Sequence, residues 1–96
     1  MEVVFSKLAK IYLEKLLDYL ESEWSVQVKH NFVLKLDKSV LNISKYPNSS
    51  PVSKKKKGVY RCVVSKQTSF YYRIKRDKIE VIVFFDNRMN PSKISL

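Results

Sequence analysis

An α+β fold is predicted for this chain of 96 residues, in the order β-α-α-β-β-β, with a helical hairpin packed on one face of a small, mainly antiparallel sheet. Three observations predict it. Apolar residues recur twice at helical spacing in the first half, whereas the second half holds short runs rich in Val, Ile, Phe and Tyr. Between them, residues 46 to 58 carry prolines, serines and the only glycine, a connector inside one domain spanning 1–96.

The elements follow in order. Glu2 to Phe5 reads as a short apolar strand. Ser6 can cap a helix in which Leu8, Tyr12, Leu16, Tyr19 and Leu20 recur as far as Trp24. Ser25 can cap a second, with Val28, Phe32, Leu36, Val40 and Ile43 on one stripe, ending before Pro47. Helices so close in sequence pack as an antiparallel hairpin. The strands then read as Val59 to Ser65, Ser69 to Lys75 and Ile79 to Phe85, joined by Lys66-Gln67-Thr68 and by a turn around Asp77-Lys78.

Loop length sets a register on which residues alternate faces. A three-residue first loop places Tyr60 opposite Ile74, Cys62 opposite Tyr72 and Val64 opposite Phe70 on the core side, with Arg61 opposite Arg73 and Val63 opposite Tyr71 on the other. A two-residue second loop places Lys75 against Glu80, Arg73 against Ile82 and Tyr71 against Phe84, while Ile79, Val81, Val83 and Phe85 join the core. A slip of two changes partners but not faces. The run Val81-Ile82-Val83-Phe84-Phe85 is apolar on both faces, so Ile82 and Phe84 are expected on a second surface with Val63 and Tyr71. Two helices cover only one face of the sheet, and facing arginines are unfavourable unless something anionic lies between them. A partner is expected there.

The net charge of +10 is uneven: residues 1 to 50 contribute +1 and residues 51 to 96 contribute +9. Such a surplus points to an acidic partner, nucleic acid or protein. Other chemistries are poorly represented. A single glycine excludes a glycine-rich phosphate loop, no Cys or His pair offers zinc ligands, and Asp77, Glu80 and Asp86 do not form a two-metal set, so neither metal nor cofactor is expected. The opening MEVVFSKLAK has no signal-peptide core and no apolar run reaches membrane length, so a soluble, cytosolic chain without membrane contact is expected. His30 reads as a surface residue and Cys62 as an inert buried thiol. Lys54, Lys55, Lys56 and Lys57 read first as a solvated loop and second as phosphate or acidic-protein contacts.

The strand-helix-helix-strand order and the segment YRCVVSKQTSFYYRIKRDKIEVIVFFDNRMNP, above all the ending IEVIVFFDNRMNP, resemble the RelE/ParE toxin superfamily of bacterial type II toxin-antitoxin systems. The resemblance covers essentially the whole chain. It implies a basic toxin held in a hetero-oligomer by an acidic antitoxin. RelE-like members cut mRNA on the ribosome, and ParE-like members inhibit DNA gyrase without cleaving nucleic acid. For the nuclease set, Arg61 matches the first basic strand position, but Val63 and Ser69 stand where two further basic residues are expected. Arg88 can serve beyond the last strand, yet the tail MNPSKISL lacks a tyrosine. Arg61, Arg73 and Arg88 are therefore the candidates for a catalytic or phosphate-binding role, and the thin set favours the ParE-like reading over the RelE-like one. A plain basic nucleic-acid-binding domain is the third reading. Antitoxin contact is expected through Arg61, Val63, Tyr71, Arg73, Ile82 and Phe84, and target or phosphate contact through Lys54 to Lys57 and Arg88. Pro91 is expected to restrict the chain just beyond Arg88.

Overall fold

The computed structural model describes residues 1–89 and 96. Its elements are β1 (Glu2–Phe5), α1 (Lys7–Glu23), α2 (Val26–Lys45), β2 (Val59–Val63), β3 (Thr68–Lys75) and β4 (Lys78–Asp86). The sheet order is β1-β4-β3-β2, with β1 parallel to β4 and the other pairs antiparallel. The predicted order and α+β class are therefore observed. No helix is long and apolar enough to cross a membrane among the described residues.

Capping fixes both helix starts where the serines indicate. The Ser6 hydroxyl accepts from the Ala9 amide at 3.0 Å, and the Ser25 hydroxyl accepts from the Val28 amide at 3.0 Å, each satisfying a donor that has no partner inside the helix. Between the helices, the amides of Trp24 and Ser25 both donate to the Leu20 carbonyl, so α1 closes and α2 opens within two residues. After α2, the Pro47 carbonyl accepts from the Tyr72 hydroxyl at 2.8 Å, tying the connector to the sheet. Val52 forms a bridge with Tyr60, and the Arg61 amide donates to the Pro51 carbonyl, so the outer edge of β2 is partly covered by this connector. Gly58 supplies the one glycine conformation with positive φ, +81°, just before β2.

The register departs from expectation in two ways. First, the turn between β2 and β3 is Ser65 to Gln67, one residue earlier than expected, because the Val64 amide donates to the Thr68 carbonyl. Tyr60 consequently pairs with Tyr72, Cys62 with Phe70, Arg61 with Tyr71 and Val63 with Ser69, a slip of two that preserves faces. Arg61 and Arg73 do not face each other; Arg73 lies opposite Val59 and, on its other side, Glu80. No anion is therefore required between them. The second turn is Arg76-Asp77, with Arg76 at φ +59° and Lys75 opposite Lys78.

Second, β4 contains a bulge. Tyr72 pairs with Val81 but Tyr71 pairs with Val83, leaving Ile82 as the extra residue. From Val83 onward the faces are exchanged relative to expectation. Phe84 is 2% exposed and belongs to the main core with Phe70, Tyr72, Ile79 and Val81, packed against Phe5 and Tyr12. Val83 and Phe85 belong instead to a smaller cluster on the outer face with Val59 and Tyr71, against which Ile82 and Leu96 pack. The physical cause lies at Ser6, whose amide donates to the Val81 carbonyl while its hydroxyl donates to the Ile82 carbonyl. In a regular strand successive carbonyls point to opposite sides; the bulge aims both at the start of α1.

Candidate functional site

Each predicted arginine has a partner inside the protein. Arg73 donates to Glu80 through Nε at 2.8 Å and forms an ion pair through Nη2 at 2.7 Å, across the β3–β4 register. Arg88 curls back on Asp86: its amide donates at 2.9 Å, its Nε at 3.0 Å and its Nη2 at 2.7 Å. The Arg88 guanidinium holds the Asp86 carboxyl below its ordinary value, and the carboxylate in turn pushes Arg88 upward. Arg61 donates through Nη2 to the Asn87 side-chain oxygen at 2.8 Å, while its Nε is buried without a hydrogen-bond partner.

Asn87 is the residue that sequence reasoning missed. Its side-chain oxygen accepts from Arg61 and, at 2.7 Å, from the Ser69 hydroxyl. Its side-chain nitrogen donates to the carbonyls of Ser65 and Lys66, and its backbone amide donates to the Gln67 carbonyl. One side chain thus fixes both the β2–β3 turn and the direction of Arg61. The only signal in the sequence is an asparagine directly after a strand, which is too common to single out.

The three arginines do not converge. Arg61 and Arg73 lie on the outer face of the sheet at non-opposed positions, and Arg88 follows β4 beside Asp86 on the wall of a groove under the helices. Of the expected antitoxin surface, Val63 is 60% exposed and Ile82 half-buried, whereas Tyr71 is 3% exposed and already packed. Phe84 is removed from that surface by the bulge and lies in the core. The lysines 54 to 57 occupy an exposed loop, where Lys56 Nζ donates to the Leu96 oxygen at 2.9 Å. The Asn90 to Ser95 part of the tail, including Pro91 and its expected effect on Arg88, lies outside the described residues.

The groove has a volume of about 370 Å³ and is bounded by α1, α2, the β2–β3 turn and the Asp86–Arg88 pair. Tyr12 forms part of its floor, stacked on Phe84 with ring centres 5.8 Å apart, and burial together with the nearby Asp86 charge raises its hydroxyl pKa. Trp24 and Tyr19 line it and remain 68% and 52% exposed. Spacing puts both on the helix stripe, but it marks only a face and cannot tell that the stripe outruns the sheet beneath it.

Cys62 is buried on the core side, and burial raises its thiol, the opposite of what a nucleophile needs. His30 is exposed on α2. Among the described residues no group of three or more His, Cys, Asp or Glu could hold a metal.

A family model described as the ParE toxin of type II toxin-antitoxin systems, parDE, matches residues 3–91. No curated protein sequence matches. Among solved structures, a chain of the chromosomal ParDE toxin-antitoxin system from P. aeruginosa is similar, with TM-score 0.76, 15% identity, and coverage of 90% of this chain and 95% of that one. A YoeB/ParE toxin from Agrobacterium tumefaciens gives TM-score 0.67 at 16% identity over 91% of this chain and 99% of its own. A conserved hypothetical protein from Helicobacter pylori gives TM-score 0.58 at 17% identity, covering 92% and 96%. At these identities the structural likeness concerns the fold.

Proposed function

The chain belongs to the ParE toxin family of type II toxin-antitoxin systems, and from that premise we propose that it arrests growth by binding DNA gyrase, without cleaving nucleic acid, and is neutralised by an acidic antitoxin in a hetero-oligomer. The observation that supports the non-catalytic reading is the occupation and dispersal of the three arginines. Metal-free RNA cleavage needs several groups converging on one phosphate, to move the proton of the attacking hydroxyl and to stabilise the developing charge. Here Arg73 is engaged by Glu80, Arg88 by Asp86 and Arg61 by Asn87. Val63 and Ser69 stand where further basic residues would be needed, and Ser69 is fully buried. Arrangements of this kind suit recognition.

Arg61, Val63 and Ile82, with Arg73 at the margin, remain the part of the outer face accessible to an antitoxin. Their apolar centre and the Arg61 charge fit an acidic segment, the Arg73 charge being already met by Glu80. Tyr71 supports this surface from beneath.

The test is a side-by-side assay of the purified protein on gyrase supercoiling and on mRNA in translating ribosomes. Inhibited supercoiling with intact mRNA is expected, and Arg88→Ala should weaken growth arrest while leaving a cooperative thermal transition. Codon-phased cleavage with supercoiling untouched would replace this reading with the RelE-like endonuclease and make Arg61, Arg73 and Arg88 catalytic candidates. Salt-tolerant, sequence-selective nucleic-acid binding with neither activity would leave the plain binding domain.

A further inference from the structure

We propose that the cleft between the second half of α2 and the outer edge of β2 binds a free nucleotide, its phosphates held between Lys38 and Lys45 and its base laid on the ring of Tyr46. Such a site requires neither the antitoxin nor the target of growth arrest. The cleft lies on a different flank of α2 from the groove: Lys35 lines the groove, whereas Lys38 and Lys45 line the cleft together with the connector and β2.

Charge selects an anion. From Lys38 to Arg61 the sequence holds seven Lys and Arg and no Asp or Glu. No acid lines the cleft, and Lys38 and Lys45 form no ion pair with any described residue. They stand seven residues apart on α2, about two turns along one face, so their flexible side chains can close on phosphates lying between them. Neutral donors add to this. Asn42, between the two lysines, donates through its side-chain nitrogen to the Ser49 hydroxyl at 3.3 Å, which leaves the hydroxyl proton of Ser49 for a ligand. The edge of β2 supplies a backbone donor as well. Its Arg61 amide is taken by the Pro51 carbonyl, but the Val63 amide, which points to the same side by the alternation of the ladder, lies past the Val52–Tyr60 bridge where the pairing of the connector stops.

Shape selects an anion that carries a flat ring. The cleft has a volume of about 600 Å³, within the range of small-molecule sites. Tyr46 and Leu41, 62% and 57% exposed, flank the lysines with apolar surface that a bare phosphate would leave in water. A base stacked on an exposed tyrosine ring covers such surface favourably, whatever the base. The walls are set before any ligand arrives: the Tyr72 hydroxyl donates to the Pro47 carbonyl, the Asn48 side chain donates to the Tyr60 hydroxyl at 3.0 Å, and the Arg61 amide donates to the Pro51 carbonyl at 2.9 Å. The connector from Pro47 to Pro51 is thereby pinned to the sheet, and little ordering is needed on binding.

The purified full chain is titrated with ADP in magnesium-free buffer at physiological salt, followed by isothermal calorimetry and by the amide spectrum of the isotope-labelled protein. ADP should bind saturably and move the amides of Asn42, Ser49 and Val63. Adenosine and pyrophosphate, each keeping only part of the contacts, should bind at least about tenfold more weakly than ADP. Lys38→Ala with Lys45→Ala should weaken ADP binding about a hundredfold, a tenfold step for each charged contact, and Tyr46→Ala about tenfold. Lys54→Ser with Lys57→Ser, an equal loss of charge outside the cleft, should leave the affinity nearly unchanged. All these side chains are exposed, and circular dichroism and thermal melting establish that each variant folds. Equal losses in the loop and cleft variants would reduce binding to net charge and overturn the site, as would ADP that binds no tighter than adenosine or pyrophosphate, or not at all. A single-stranded oligonucleotide that binds where ADP does not would assign the lysines to a nucleic-acid backbone and likewise overturn it. None of these readouts involves gyrase or the antitoxin, so the toxin reading stands or falls separately.

Discussion

Ser6 and Ser25 were legible as caps because their role is local: a hydroxyl at the right position accepts from an amide three residues on, whatever surrounds it. Asn87 was not, because what it does depends on Arg61, Ser65, Lys66 and Ser69 being brought to it from distant positions. Arg88 lies between these cases. Its importance was expected, but its pairing with Asp86 two residues earlier defines the form in which it is presented, a guanidinium already half neutralised and 68% exposed on its side chain. The pair has a pH signature. Asp86 has a folded-state pKa below its unfolded value, so the stability it contributes is present above the unfolded value and lost as pH falls through the depressed one. The gap in urea midpoint between wild type and Arg88→Ala should therefore be largest near neutrality, close as the solution becomes acid below the ordinary carboxylate range, and shrink with added salt because the arginine is solvent-facing. A gap that stays constant through the acid range would show that Arg88 acts on stability by packing.

At the scale of elements, both helices and all four strands were readable to within about two residues at their ends, since periodicity reports which face is buried. The faces of β4 were not. A run of five apolar residues has no alternation from which a bulge could be detected, and the cause of the bulge is Ser6, more than seventy residues away in sequence. The consequence was the misplacement of Phe84, Val83 and Phe85. The bulge makes a prediction that a regular strand would not. Because Ile82 is the extra residue, deleting it leaves Val81 opposite Tyr72 and Val83 opposite Tyr71, so every later residue keeps its face. The deletion should cost the Ser6 hydroxyl bond and the Ile82 packing but preserve a cooperative transition. Deleting Arg73, a half-exposed residue of β3 with no bulge at its position, should turn one end of that strand over and abolish folding. Equal outcomes for the two deletions, read by thermal melting, would refute the assignment of Ile82 as the bulged residue.

For the whole molecule, the fold sorts a charge asymmetry that the sequence shows only as a difference between halves. Val59 opens β2 one residue beyond the lysines 54 to 57, after Gly58, and pairs with Arg73, two residues before Lys75, so this loop and the Lys75–Lys78 turn lie at the same end of the sheet. Lys78 there is met by Glu2 at 3.7 Å. The groove, with Lys35, Lys66 and Arg88, lies toward the other end, at the β2–β3 turn. Two basic regions with different neighbours should do different things. Any affinity of the lysine loop for duplex DNA should come from counterion release, show little sequence preference, and fall with salt on a slope of roughly −0.9 per neutralised phosphate. Replacing Lys54, Lys55 and Lys57 by serine should flatten that slope by about one for each phosphate that is no longer neutralised, whereas Lys35→Glu with Lys66→Glu, toward the other end of the sheet, should leave it nearly unchanged. Fluorescence anisotropy on a short duplex across a salt series reads both effects. If the groove variant flattened the slope and the loop variant did not, the phosphate-binding end would have been assigned the wrong way round, and the groove would have to be regarded as a surface for nucleic acid.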